Sequence, residues 1–455
     1  MTAMPNILRL AHLSDTHLGF TQYSARTLSG RPAREQDFVR AFKNVIDHIN
    51  IYDPPLVIHS GDFYDKAYIS LRMQKIGQHG LQELTRRPDG TTRAVVIISG
   101  NHDQPADPRE PSALELNDPI PGLYVATSAV KVIDFSAAVA AGELDPALDN
   151  VVVTAVPHDQ LRTLNQDVLR PLDGKVNVLV AHGVVGGSDL YKTTKGREFA
   201  ISSDIIGRGW HYVALGHWHK RCPVAGGGKT TTTTPAYYAG SSENNGFSDV
   251  ADNDCTTGRG YLQVHINTSR VHDPDPPTVT GIDLPVRAMS TLPPIDAAGK
   301  TISDIELLAA EHIASADITG AVIRQRIINI SSDEWRLINT GKLNKLAQHA
   351  LVYTVEPVYS TPDGGDSSAG IGDSSAGSAS GAKSPREHLC ELAAALYDND
   401  PDRQAVIDMA VRMLETAAAV VDPATQARDD TGSATIDVSA HRDEHDQYVP
   451  STPTP

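Results

Sequence analysis

The stretch Ala214-Leu215-Gly216-His217-Trp218-His219 puts two imidazoles two residues apart at the mouth of an apolar run that begins near Tyr212. In an extended chain residues i and i+2 point the same way, so just past a strand end both rings can face one cleft. A lone His-x-His says little, but four other segments repeat the design. Ser14-Asp15-Thr16-His17 follows Ile7 to Leu13, and Ser60-Gly61-Asp62-Phe63-Tyr64-Asp65 follows Leu56 to His59. Ser99-Gly100-Asn101-His102-Asp103 follows Ala94 to Ile98, and Ala181-His182-Gly183 follows Val176 to Val180. Each apolar run is short enough to read as a buried strand. Five strand ends therefore carry Asp, His or Asn, several of them beside a glycine.

Apolar strands alternate with helical patterns from Ile7 to about Val264. Arg34 to Asn50 places Phe38, Phe42, Val45, Ile46 and Ile49 at helical spacing, and Leu71 to Leu84 predicts a second helix. Strands separated by helices imply a sheet that is parallel at least in part, and ligands of such sheets gather beyond the carboxyl ends of the strands. The more closely spaced strands Val151 to Val156, Tyr237 to Ala239 and Gly260 to Val264 predict a second sheet. The catalytic domain is expected over residues 1–265. A small α/β unit without an Asp/His cluster follows over 278–358, with a strand at Ile282 to Val286. Its capping boxes are expected at Ser303/Glu306 and Ser331/Glu334.

Residues 361–384 are rich in Gly, Ser and Ala, repeat Gly-Asp-Ser-Ser-Ala-Gly, and read as a disordered linker. Residues 385–422 read as a helical hairpin. Its second helix aligns Val406, Met409, Met413, Leu414 and Val420 in one apolar stripe, a face suited to a partner. Residues 423–455 read as a disordered acidic tail. Gly226-Gly227-Gly228-Lys229 lacks the earlier glycine of a phosphate loop, so it predicts a surface insertion.

Among the 455 residues, the 40% that are hydrophobic form no run near the roughly 20 residues a bilayer requires. Met1-Thr2-Ala3-Met4-Pro5 leads into a charged strand rather than a signal peptide, so a cytoplasmic protein is expected. Cys222, Cys255 and Cys390 are too far apart for a zinc site or a disulfide framework. The net charge of −17 argues on its face against nucleic acid. A site for two cations must itself be acidic, however, and a tail can lower the total without touching a basic face. Basic clusters do occur at Arg26, Arg31, Arg34, Arg40 and Lys43, at Lys192, Lys195 and Arg197, and at Lys220 and Arg221. Each reads by default as a solvated face.

The five segments together supply Asp15, His17, Asp62, Asn101, His182, His217 and His219. Oxygen and imidazole without sulfur suit Mn²⁺, Fe²⁺, Co²⁺ or Zn²⁺ better than Ca²⁺ or Cu(I). Seven ligands exceed one ion. Two ions roughly 3.5–4 Å apart need a bridging group, which a carboxylate can provide.

In order, Asp-x-His, Gly-Asp, Gly-Asn-His-Asp, His-Gly and Gly-His-x-His resemble the five motifs of the calcineurin-like metallophosphoesterases, over about Ile7 to Gly240. The resemblance implies a four-layered αββα sandwich. It implies one metal held by Asp15, His17, Asp62 and His219, and a second by Asp62, Asn101, His182 and His217, with Asp62 as bridge. His102, next to Asn101, is left to stabilise the transition state or protonate the leaving 3′ oxygen, and Asp65 is the candidate that orients it.

Three further stretches narrow the resemblance: Ala11 to Gly19, Arg34-Glu35-Gln36-Asp37-Phe38, and Tyr237-Tyr238-Ala239-Gly240-Ser241. Together with Leu292-Pro293-Pro294-Ile295-Asp296, they are similar to the SbcD-type nuclease subunit of the double-strand-break repair complex. This implies a Mn²⁺-dependent 3′–5′ exonuclease on duplex DNA ends and an endonuclease on single strands. It further implies a substrate-selecting cap over 278–358, a coiled-coil ABC-type ATPase partner (SbcC-like) for the hairpin, and a homodimer within a heterotetramer. A phosphodiesterase or phosphatase acting on a small nucleotide or phosphoprotein would share all five motifs but would not need the cap or the hairpin. A non-catalytic DNA tether would not need the metal ligands.

Overall fold

The computed structural model describes residues 6–107, 109–186, 199–224, 235–250, 258–272 and 274–360. The linker, hairpin and tail, the threonine-rich insertion, and Lys192, Lys195 and Arg197 lie outside the described residues.

The first sheet joins β1 (Ile7–Leu13), β2 (Leu56–His59), β3 (Ala94–Ile98) and β4 (Leu123–Ala126) in parallel. The second is built from β5 (Lys131–Asp134), β6 (Val151–Val156), β7 (Val176–His182), β10 (Tyr212–Gly216), β11 (Cys222–Pro223) and β12 (Ala236–Tyr238), in the order β11-β12-β10-β7-β6-β5. Between β7 and β10 in the chain, β8 (Val184–Val185) and β9 (Ala200–Ile201) pair separately. Strands buried on both faces need apolar residues at every position. Period-two alternation then divides each strand between two cores. Leu10, Ile58, Val96, Val153, Val178 and Ala214 point into the layer between the sheets. Leu13, Val57 and Val95 face the helices α1 (Ala33–Tyr52) and α2 (Leu71–Thr85). Leu179, Val213 and Leu215 face the opposite flank with Ile205 and Trp210. The result is the expected αββα layering.

Gly260–Asn267, expected in the second sheet, is β13 of the first. It runs antiparallel to β1 with Leu10 opposite Val264. β14 (Thr278–Asp283) extends the same edge, pairing Gln263 with Thr280, so residues 278–283 complete the first sheet rather than open the small unit. The reason is edge satisfaction: β13 still offers unpaired backbone groups that a further antiparallel strand can cover.

The small unit is a four-stranded sheet. Its long strand β17 (Val322–Ile330) pairs in parallel with β15 (Met289–Thr291), β16 (Ile295–Asp296) and β18 (Val352–Tyr359). Its helix Ile302–Ser315 packs Ile305, Ala309 and Ile313 inward, and its capping box is Thr301 with Asp304, not Ser303 with Glu306. Thr301 is the residue whose extended backbone lets its hydroxyl turn back to the N3 amide, as an N-cap requires. The box at Ser331 and Glu334 forms as expected.

Arg34, read from sequence as part of a solvated basic face, is only 1% exposed. It donates to Asp37 at 2.9 Å and lies 3.5 Å from Glu243. Lys220 and Arg221 are also buried. A guanidinium can leave water when carboxylates and carbonyls fill its donors, and sequence alone does not reveal those partners.

Candidate metal centre

β1, β2 and β3 run parallel in one sheet, and β7 and β10 run parallel in the other, so the five motif-bearing strand ends open on one cleft. Past those ends the loops join one another. Asp15 donates its amide to Gly61 O at 2.9 Å, His17 to Asp62 O at 3.1 Å, and Leu18 to Phe63 O at 2.9 Å. Asp15, His17, Asp62 and His217 all adopt positive φ, at 50°, 41°, 54° and 93°. Asp, Asn and His are the non-glycine types most often found there, and four together mark a strained, over-determined site. Close approach fixes the neighbouring glycines. A Cβ on Gly100 would overlap the Asp62 carboxylate, and one on Gly61 would overlap the His182 ring.

The seven expected residues converge. His17 Nε2 lies 3.2 Å from His219 Nε2 and 3.8 Å from Asp62 Oδ2, with Asp15 Oδ1 4.0 Å from His219 Nε2. On the other side, Asp62 Oδ2 and Asn101 Oδ1 lie 3.2 and 3.1 Å from His182 Nε2, and Asn101 Oδ1 is 3.1 Å from His217 Nδ1. One oxygen of Asp62 therefore sits between two donor pockets. Asp15 also approaches both, since it groups with His17 and His219 and again with Asp62 and His182. Asp62 is thus not the only acid placed between the pockets, because the main-chain amide of His217 holds the Asp15 carboxylate at 3.1 and 3.2 Å, facing inward.

The donor set fits divalent cations. It is nitrogen and carboxylate oxygen without sulfur, and Asp15, Asp62 and His182 are almost wholly buried. His182 donates Nδ1–H to Ser60 O at 2.8 Å, which leaves Nε2 as a lone pair aimed into the pocket. His17 Nδ1 is buried without a hydrogen bond; the nearest carboxylate oxygen is Asp65 Oδ1, at 3.4 Å. Burial and charge act against each other at the acid and at its neighbouring imidazole. Burial would raise the Asp62 carboxyl, but the adjacent His182 holds it well below the usual range. Burial would depress His182, but Asp62 pushes it up to about 9, whereas burial and then His182 bring His217 down to about 3.

His102 stands beside His17 and Asp62, with its side chain exposed. Its amide donates to Asp62 Oδ1 at 2.9 Å. The orienting contact comes from Asp65, but through the main chain: His102 Nδ1 donates to Asp65 O at 2.8 Å, and the Asp65 carboxylate turns to His17 instead. The peptide carbonyl takes the ring nitrogen, so the side chain expected to orient His102 lies beside His17.

Two residues that shape the site, Asp103 and His158, were not among those expected from the sequence. Asp103 follows His102, and its buried carboxylate accepts the amides of Phe63, Tyr64 and Gly100 at 3.1, 2.8 and 2.9 Å. It buckles the second loop to the third, and burial, then the Asp62 charge, push its pKa up to about 7. Asp103→Ala orphans three buried amides and is expected to cost about 2–4 kcal/mol, readable as a lowered midpoint in urea unfolding. His158 donates Nδ1–H to His182 O at 2.9 Å and stacks 6.1 Å from the His217 ring, backing both residues from behind. A signal for Asp103 lay in the motif itself, whereas His158 had none.

Residues 8–221 match the family profile described as calcineurin-like phosphoesterase. Curated relatives are the DNA double-strand break repair protein Mre11 of several archaea. That of Methanococcus maripaludis is 31% identical over 98 residues, 22% of this chain and 24% of the relative. The Thermoplasma acidophilum protein is 34% identical over 102 residues, 22% and 24%, and that of Haloferax volcanii 34% over 95 residues, 21% and 19%. The alignments thus span about a quarter of these relatives' length or less. A solved structure, GAP50, the anchor in the inner membrane complex of Plasmodium, aligns with a TM-score of 0.31 and 8% identity, over 61% of this chain and 89% of that one. Among the described residues no helix is long and apolar enough to cross a membrane. Five motifs on five strand ends, one αββα sandwich and the matched profile agree: residues 8–221 form a calcineurin-like phosphoesterase domain, and part of the chain is similar to the archaeal DNA double-strand break repair protein Mre11.

Proposed function

We propose that this chain is a DNA nuclease that holds two divalent cations, Mn²⁺ foremost. Asp15, His17, Asp62 and His219 hold one, and Asp62, Asn101, His182 and His217 the other. The observation that carries the reading is the single Asp62 oxygen lying between two nitrogen-rich pockets. When bound, such a pair supplies a nucleophile at neutral pH and offsets charge that grows on the phosphoryl oxygens. The chain's own residues do the rest. Asp15 and Asp62, buried and held by main-chain amides, keep the pockets negative and fixed in shape. His102, with Nδ1 committed to Asp65 O, has Nε2 left to hand a proton to the departing 3′ oxygen. The small α/β unit beside the domain is the part that selects DNA among phosphate esters, and the Mre11 relatives support that substrate class.

The test is a labelled linear duplex incubated with Mn²⁺, with a chelator control and a small aryl phosphodiester in parallel. Degradation of the duplex supports the reading. Turnover of the small ester with an untouched duplex assigns the site to another phosphoesterase. The coiled-coil ATPase partner is proposed for the stripe Val406 to Val420. Removal of residues 385–455 is expected to abolish co-purification with such an ATPase and to leave Mn²⁺-dependent cleavage intact. Unchanged co-purification would move the contact elsewhere.

A further inference from the structure

The seven proposed ligands leave unexplained a buried acid that touches one of them. Asp249, 5% exposed, closes the short turn Phe247–Asp249, and its Oδ2 lies 3.4 Å from His219 Nδ1. The same oxygen accepts the amides of Asn245 at 2.8 Å and Gly246 at 3.4 Å, so it is fixed by its own turn. Across the ring, His219 Nε2 faces His17 Nε2. A histidine that directs Nδ1–H to a carboxylate keeps Nε2 as the lone pair a cation requires. Buried Arg259 sets the spacing. Its guanidinium donates to His219 O at 2.7 Å and Asp249 O at 2.5 Å, while Nε donates to Asn244 Oδ1 at 2.7 Å.

The turn is also held from the small α/β unit. Phe247 packs with Met289 and Val322, and the Arg324 guanidinium lies 4.4 Å above its ring. Arg287 donates its amide to Glu243 Oε2 at 3.1 Å, accepts Asn244 Nδ2 at 3.3 Å and reaches Asp37 at 2.7 Å. Residues 243–249 thus lie between the small unit and His219.

We infer that Asp249 is a positioning residue for His219, and that the small α/β unit holds it there by clamping Phe247. The inference rests on the reading that His219 ligates a cation. A shift of the small unit then loosens a metal ligand without touching the substrate.

The test is calorimetric titration of Mn²⁺ into the metal-stripped full chain, for the parent and for Asp249→Asn, His219→Ala, their combination and Arg324→Ala, each checked by a thermal melt. Asp249→Asn should weaken one of two sites by about 10–100-fold, yet add nothing in the His219→Ala background. Arg324→Ala, remote from the ions, should weaken the same site by about threefold or more with an unchanged melt, and it keeps the inference testable should Asp249→Asn misfold. Parent-like binding by Asp249→Asn, a loss fully additive with His219→Ala, or parent-like binding by Arg324→Ala would overturn it. A parent chain that binds no Mn²⁺, or His219→Ala that binds like the parent, overturns the metal reading itself and is distinct from those results.

Discussion

Asp62→Asn is expected to lose roughly 10³-fold or more in Mn²⁺-dependent cleavage, about 4 kcal/mol of transition-state stabilisation. Metal content should fall while the protein stays folded. Asn is the cleaner variant than Ala. It keeps the shape of the side chain, can still accept the His102 amide, and tolerates the φ of 54° that Asp62 adopts. Ala at that φ adds backbone strain of about 1–3 kcal/mol and so mixes stability into the measurement. The size of the effect follows from position. Asp62 Oδ2 stands 3.2 Å from His182 Nε2 and 3.8 Å from His17 Nε2, so its charge serves both pockets. Asp15 approaches both pockets as well and should show a loss of the same order in Asp15→Asn. Near-normal turnover of Asp62→Asn in Mn²⁺, with metal content measured by atomic emission, would falsify the two-pocket assignment.

His102→Ala should reduce the rate by roughly 10²–10⁴-fold, the scale of a lost general acid, with metal content unchanged. The geometry separates it from the ligands: its amide, not its ring, meets Asp62, and its ring is tied to a main-chain carbonyl. His102 nevertheless groups with His17 and Asp62 as a possible third donor, so the metal measurement is decisive. A fall in bound Mn²⁺ alongside the rate would make His102 a ligand. Asp65→Asn leaves the carbonyl contact in place and acts on His17 instead, so it should alter metal binding more than the chemical step.

The sequence determined the type and order of the five strand ends, because an apolar run that ends in Asp, His or Asn has little alternative to a buried strand opening on a polar cleft. Strands apolar at every position and helices apolar on one face also made two helix-covered sheets legible, whereas the αββα order of the layers was implied only by the resemblance. Pairing was not legible. Gly260–Asn267 alternates as any half-covered strand does, and only the free edge of β1 in the folded sheet decided that it joins the first sheet and draws Thr278–Asp283 with it. The ligand types were legible, but which oxygen or nitrogen faces inward was not. That choice depends on partners far away in the chain: Ser60 O for His182, the His217 amide for Asp15, Asp249 for His219. Arg34, Asp37, Glu243, Asn244, Arg259 and Arg287 read one at a time as surface polar residues. The tertiary structure buries five of them and half-buries Arg287 as a connected set, because a charged group leaves water only where several others meet it, and such a meeting has no local signature in the chain.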